Sequence, residues 1–248
     1  MTMYLTTQAL VLRVTAYNDT DAMLTLLSRD QGKLTVKARS LRRKHSPLIA
    51  PCQLLAYGEF TLFEYKGMYT VNEAHSLQLF TRLRRDLSKL SLGSYFAQVA
   101  ETISQEDAPN PELLSLVLNS LYALSELNVS EAQVKAVFEL RSACLAGYTP
   151  DLSGCRGCAD PYPDRFDISE GCLECSKCRD MGSSGIRMPV TSGVLDSMRY
   201  ICQCDPKQLF AFDAGAQTLT ALSQLTESYL VTQLERGFST LDFYKSLQ

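Results

Sequence analysis

The chain has 248 residues, a formal net charge of −3, nine cysteines, two histidines and no tryptophan. No stretch approaches the ~20 apolar residues of a membrane helix, and no basic segment runs into an apolar one as in a secretory signal. Two histidines leave little for His-based acid–base catalysis, and nine cysteines without a signal peptide point to a reducing cytoplasm where thiols bind metal rather than pair.

The modest net charge hides an asymmetry. Through residue 89 there are 13 Lys/Arg against 7 Asp/Glu; the remainder carries 11 against 20. A basic first part joined to an acidic second part suggests a nucleic-acid contact at one end and a different task at the other.

Residues 7–17 are rich in strand formers, and Asn18-Asp19-Thr20-Asp21 reads as a turn. Met23–Ser28 and Lys33–Arg39 are strand-like runs around Arg29-Asp30-Gln31-Gly32, a hairpin with Gly32 free to take positive φ. In the second run Leu34, Val36 and Ala38 alternate with Lys33, Thr35, Lys37 and Arg39, so strand period places Lys33, Lys37 and Arg39 on one outer face. Leu41-Arg42-Arg43-Lys44-His45 lengthens that strip. Seven basic residues, counting His45, fall within positions 33–45 with no acidic one. The strip reads either as a solvated surface or as a phosphate-binding one, and this density favours DNA through Lys33, Lys37, Arg39, Arg42, Arg43 and Lys44.

Gly58–Tyr65, a turn at Lys66-Gly67, and Met68–Ala74 form a further hairpin. Five short strands in about eighty residues, with a longer link after the third, fit a small closed barrel of OB type. Phe63 and Tyr65 are candidates either for stacking bases or for covering the barrel's outer face.

From about residue 80 the apolar period becomes helical. Leu92, Phe96, Val99 and Ile103 mark one helix, which Arg82, Arg84, Arg85 and Lys89 open. Asn110 and Pro111 start a second, lined by Leu114, Val117, Leu121 and Leu124. Ser130 and Gln133 form a capping box for a third, with Val134, Val137, Phe138, Cys144 and Leu145 on its stripe and Gly147 at its end. Helices are expected again at Ser192–Cys202, after Asp205-Pro206, and at about 214–236, where Leu219, Leu222, Leu225 and Tyr229 form the buried face. Cys202 and Cys204 read as structural. The tail from Phe238 to Leu247 is apolar enough to dock.

The most specific pattern is Cys155-Arg-Gly-Cys158, an interval of 16 residues, then Cys175-Ser-Lys-Cys178. That is the spacing of a four-thiolate zinc site, two knuckles completing one tetrahedron. Gly157 and Gly171 relieve sharp turns. Cys172–Cys175 is also a Cys-x-x-Cys pair, and interval length favours the set Cys155, Cys158, Cys175 and Cys178 over one containing Cys172. A thioredoxin-like redox centre needs an α/β setting, whereas this one is Gly-, Pro- and Asp-rich. A zinc deaminase needs His-x-Glu, which neither His45 nor His75 begins. A closed four-thiolate site leaves no open position for water, so the zinc is expected to be structural. The chain contains no nucleophile elbow, phosphate loop or dinucleotide turn, and no enzyme activity is expected.

Gly147-Tyr148-Thr149-Pro150-Asp151-Leu152, then Cys155-x-x-Cys158, Phe166, Gly171 and Cys175-x-x-Cys178, together with Ala9-Leu10-Val11-Leu12, Tyr17, Asp21 and Gly32-Lys33-Leu34, carry a resemblance over nearly the whole chain. It resembles the RecO family of bacterial DNA repair proteins, recombination mediators. Cys172 stands where the family's second glycine is expected, and Ala38 replaces a glycine in the basic segment while the charge stays. The resemblance implies binding of single- and double-stranded DNA, strand annealing, and help in loading the recombinase onto DNA coated with single-strand-binding protein. It also implies pairing with the ring-forming RecR, contact with the acidic C-terminal tail of the single-strand-binding protein, and a cytoplasmic, nucleoid-associated setting away from membranes.

The expected fold class is therefore α+β. An OB-type nucleic-acid-binding barrel takes residues 1–80 and a helical domain residues 81–248, with an inserted four-cysteine zinc module at about 149–186. Two rivals are a zinc-stapled protein-interaction scaffold with little nucleic-acid affinity, and a zinc enzyme in which water replaces one cysteine.

Overall fold

The computed structural model describes residues 3–178 and 185–248. Residues 179–184 of the expected zinc module lie outside the described residues. The chain packs as two units: Met1–Leu127 with Phe238–Gln248, and Asn128–Gly237.

In the first unit, β1 (Met3–Ala16), β2 (Ala22–Ser28), β3 (Gly32–Ala38), β4 (Tyr57–Tyr65) and β5 (Met68–Gln78) close into a barrel of strand order β1-β2-β3-β5-β4. Closure is possible because β1 is long enough to pair twice: Met3–Leu10 with β4, and Ala9–Ala16 with β2. A register shift between Val11 and Arg13 bends it at the changeover. The seam is short and parallel, Val36 opposite Tyr69 and Lys37 opposite Thr70. Alternate residues fill the interior, among them Ala9, Val11, Leu24, Leu26, Val36, Phe60 and Leu62, each buried.

The first hairpin turns at Gly32, whose φ is +69°. A Cβ there would lie 2.6 Å from the Ala108 carbonyl oxygen, so the position needs glycine for room as well as for handedness. The link Arg39–Ala56 holds no strand. It folds back on the barrel through Leu41, Cys52, Leu55 and Ala56, all buried.

Helix α1 (Leu87–Ile103) begins later than the sequence suggests. Residues Leu83–Arg85 form a single 3-10 turn, and Asp86 caps α1 by accepting from the Lys89 N–H at 3.2 Å. Helix α2 (Pro111–Glu126) starts at Asn110, which accepts from the Leu113 N–H at 2.9 Å, and buries Leu114, Val117, Leu121 and Leu124. The last ten or so residues return to this unit. The tail helix is α6 (Ser239–Lys245); Phe238 meets Tyr95 edge-on at 5.5 Å, and the Thr240 N–H donates to Gln98 Oε1 at 3.3 Å.

The second unit contains α3 (Glu131–Leu145), α4 (Ser192–Gln203) and α5 (Ala216–Gln233), with a four-stranded sheet between α3 and α4 in sequence. Its strands are β6 (Asp151–Cys155), β7 (Arg165–Asp167), β8 (Cys172–Glu174) and β9 (Arg187–Pro189), ordered β6-β8-β7-β9. Ser130 caps α3, but only half of the expected capping box forms. The Gln133 amide turns away and donates to the Phe212 carbonyl at 2.9 Å. After Asp205 only the 3-10 turn Pro206–Gln208 appears, where a helix is expected.

Where α3 meets α5, Lys135 is buried. Its ammonium lies 2.9 Å from Glu139 and 2.8 Å from Glu227, and the Thr226 hydroxyl donates to Glu139 at 2.8 Å. Burial pushes the Glu139 carboxyl above its ordinary value, against the pull of Lys135.

Candidate nucleic-acid interface and metal centre

The basic strip is organised by an acid. Asp21, in the turn after β1, accepts from the Ser40 backbone N–H at 2.9 Å and from Lys37 Nζ at 3.1 Å. Asn18 Oδ1 shapes the same turn by accepting from the N–H groups of Thr20 and Asp21, at 2.9 and 2.7 Å. The Ser40 N–H, then Lys37, hold the Asp21 carboxyl far below the usual carboxylate range. Arg42 is tied to this turn as well: its N–H donates to the Thr20 carbonyl at 2.9 Å and its Nη1 to the Asn18 carbonyl at 2.7 Å.

The six predicted cations therefore divide. Lys37 is half-buried, paired with Asp21 and set 4.6 Å over the Tyr17 ring. Lys33 is half-buried and donates to the Glu101 carbonyl at 3.2 Å. Arg39, Arg42, Arg43 and Lys44 are exposed, as is His45, and none of these makes an ion pair among the described residues. Strand alternation put Lys33, Lys37 and Arg39 on one open face; the open charge instead sits on the link beyond β3.

The cations ahead of α1 serve the fold. Arg82 pairs with Glu126 at 2.7 Å, Arg84 donates to the Leu54 carbonyl at 2.6 Å, and Lys89 to the Leu124 carbonyl at 3.0 Å. Phe63 is half-buried with its ring 5.3 Å from that of Tyr4, while Tyr65 is exposed. The sequence reading missed Asp21 as the organiser; its signal was the Asn-x-x-Asp turn, read only as a bend.

The sulfurs of Cys155, Cys158, Cys175 and Cys178 all lie within 4.8 Å of one another. The strands explain the convergence: β6 ends on Cys155, and β8, its parallel neighbour, delivers Cys175 one residue past its end. The Cys175 N–H donates to Cys155 Sγ at 3.3 Å. A zinc ion about 2.3 Å from each of four sulfurs needs edges of about 3.8 Å. Cys158 and Cys175 stand 3.7 Å apart. The residues fit the ion.

Electrostatics point the same way. Burial acts to raise the Cys155 thiol, but N–H groups of Cys158, Gly157 and Cys175 bring it down to about 6. The neighbouring sulfurs of Cys175 and Cys158 push Cys178 up to about 12. Four thiolates at this spacing repel one another unless a cation sits among them.

Gly157 does not take a positive φ, unlike Gly171 at +64°. Its role is room: a Cβ would stand 2.8 Å from the Cys178 Cβ. Cys172 lies apart from the four-sulfur group, with its sulfur 3.7 Å from Arg156 Nη1. Beside it, Arg187 joins Glu174 at 2.6 Å and Asp167 at 3.4 Å, and Arg156 also pairs with Glu174, so charged side chains, mostly buried, brace a sheet with little apolar core. Cys144 and Cys202 are half-buried with sulfurs 3.9 Å apart, away from the four-cysteine group.

No helix among the described residues is long and apolar enough to cross a membrane. Residues 1–80 match the model for the N terminal part of recombination protein O, and residues 84–242 the model for its C terminal part. Relatives called DNA repair protein RecO align almost end to end. The one from Acetivibrio thermocellus is 32% identical, over 98% of this chain and 97% of the relative. That from Alkaliphilus metalliredigens is 27% identical, over 99% and 100%. That from Heliobacterium modesticaldum is 32% identical, over 95% and 88%. With both parts matched and whole relatives aligned, the chain belongs to the RecO family of DNA repair proteins.

Proposed function

We propose that this chain is a DNA-binding recombination mediator without catalytic activity. The barrel of residues 1–80 grips single- and double-stranded DNA and anneals complementary strands. The helical part, residues 81–248, handles proteins: RecR, and the acidic C-terminal tail of the single-strand-binding protein, on whose DNA the recombinase is loaded. The setting is the cytoplasmic nucleoid. The observation that carries the reading is the exposure of Arg39, Arg42, Arg43 and Lys44 on one link, in a stretch with no acidic residue between Asp30 and Glu59.

These four side chains hold phosphates, which positions DNA with little base readout. Lys33 and Lys37 add to the local field while their ammonium groups are held by Glu101 and Asp21. Cys155, Cys158, Cys175 and Cys178 hold a structural Zn2+, which when bound staples the small sheet and offers no open coordination position.

With about four phosphates neutralised, log K for a single strand falls against log salt with a slope of about −3. Replacing Arg42, Arg43 and Lys44 together with Ala should flatten that slope by about 2. An unchanged slope refutes the assignment. A strand-annealing assay with and without single-strand-binding protein tests the wider role: a chain with little DNA affinity that fails to anneal is a zinc-stapled protein-interaction scaffold instead.

A further inference from the structure

At one mouth of the barrel lies a cleft of about 300 Å3, lined by Val14, Ala16, Ala22, Leu41, Arg42, Ile49, Cys52 and Gln53. Ala22, Leu41 and Cys52 are buried members of the barrel's own core cluster, so the inner side of the cleft is the core itself. Ala16 and Ala22 are register partners across the last rung of β1 and β2. Two alanines at that rung leave the hollow that larger side chains would fill. Val14 and Ile49 stand at the sides, 39% and 47% exposed. Mouths of β-barrels are a recurrent place for ligand sites, and this volume is near the lower end of their range, about 300 Å3.

Among the described residues, Arg42 is the one charged group lining the cleft. Its Nη1 is fixed on the Asn18 carbonyl and its backbone on Thr20, so the guanidinium is held at the rim rather than swinging free. A guanidinium has a flat face that stacks on aromatic rings. Arg43 and Lys44 follow directly and are exposed. An apolar slot, a fixed guanidinium and adjacent cations match a flat ring attached to a polyanion.

We propose that this cleft receives one unstacked base of a single-stranded nucleic acid, with the face of the Arg42 guanidinium on the ring and its free edge, like Arg43 and Lys44, toward the flanking phosphates. The proposal rests on the DNA-binding reading above and adds a base-dependent contact to it. A duplex keeps its bases stacked and cannot fill the slot, so the contact favours single strands. The aromatic candidates on β4, Phe63 and Tyr65, do not line the cleft.

The test compares a thymidine oligonucleotide of about 12 residues, inside the span of one such barrel, with an abasic strand of equal length and charge. The full-length protein should bind the thymidine strand roughly 5- to 150-fold more tightly, given roughly 1–3 kcal/mol per stacked base. Ala16→Leu fills the cleft at an exposed position and should erase that difference while the salt slope stays. Ile49→Ser, which strips the opposite wall, should narrow it. Equal affinity of the parent protein for both strands overturns the base contact and leaves the phosphate reading standing. A difference that survives Ala16→Leu overturns it too, placing the stacking elsewhere. Failure of both strands to bind sinks the DNA-binding reading itself.

Discussion

Asp21 and Lys37 are joined at 3.1 Å across the β2–β3 hairpin's open end, and the same carboxylate takes the Ser40 N–H. One acid thus fixes the start of the link that carries the exposed cations. The Ser40 N–H and Lys37 lower the Asp21 pKa below its ordinary value of 3.8. A lowered carboxylate stabilises the fold above the unfolded-state pKa, and this is lost as pH falls through the folded-state one. Asp21→Asn should therefore melt below the parent at pH 5–8, and the gap should close in acid below about pH 4. Melting curves across that range check it; a gap that widens in acid contradicts it.

Lys135 is a second test of charge, this time in the interior of the second unit. Lys135→Ala strands Glu139 without its ammonium and should cost about 3–5 kcal/mol. Because burial raises the Glu139 pKa, its neutral form is the favoured one once Lys135 is gone. Stability tied to a raised pKa is present below the unfolded value of about 4.5 and fades as pH rises. The deficit of Lys135→Ala should thus grow from pH 5 to pH 8, as urea titrations at the two values would show.

Gly32 answers two backbone demands at once, a left-handed φ and a close approach of another segment. An alanine there meets left-handed strain and a carbonyl oxygen 2.6 Å from its Cβ. Gly32→Ala should cost about 2 kcal/mol or more. Urea unfolding of the variant checks this, and a neutral result means the hairpin and the Ala108 segment separate readily.

The metal centre is tested by composition and by removal. Metal analysis should find one zinc per chain, and cobalt in its place should give the spectrum of four sulfurs. Cys158→Ser should abolish stoichiometric binding. Gly157→Ala should weaken it, since its Cβ crowds Cys178. Structural zinc contributes about 10–16 kcal/mol in free zinc-finger peptides, so chelation should unfold β6–β9 and lower the melting temperature. A melt indifferent to chelator rules the zinc out.

Much of this was readable in advance because local chemistry dictated it. Strand period and turn residues gave β2, β3 and β4 to within a residue and placed β1 and β5 while cutting each four residues short, and cysteine spacing gave a group of four sulfurs that the strands bring together. The caps at Asn110 and Ser130 were visible for the same reason. What escaped depends on partners far along the chain. Lys135 sits on a helix where a lysine normally meets water, and only Glu139, Ser223 and Glu227 explain its burial. Gln133 abandons its local cap for Phe212. The division of the basic strip could not be read from alternation, because Lys33 and Lys37 answer to Glu101 and Asp21. Gly157 looked like a turn residue and proved to be a gap left for a neighbouring cysteine.

The return of α6 to α1 has a consequence for biosynthesis. Phe238, Leu241 and Tyr244 are buried, yet roughly 110 residues of the second unit separate them from the rest of the first. At about 5–20 residues per second, a translating ribosome leaves their seat beside Tyr95 uncovered for roughly 6–20 s. The nascent barrel unit thus waits, with an oily groove bare, for a helix made only after the whole second unit.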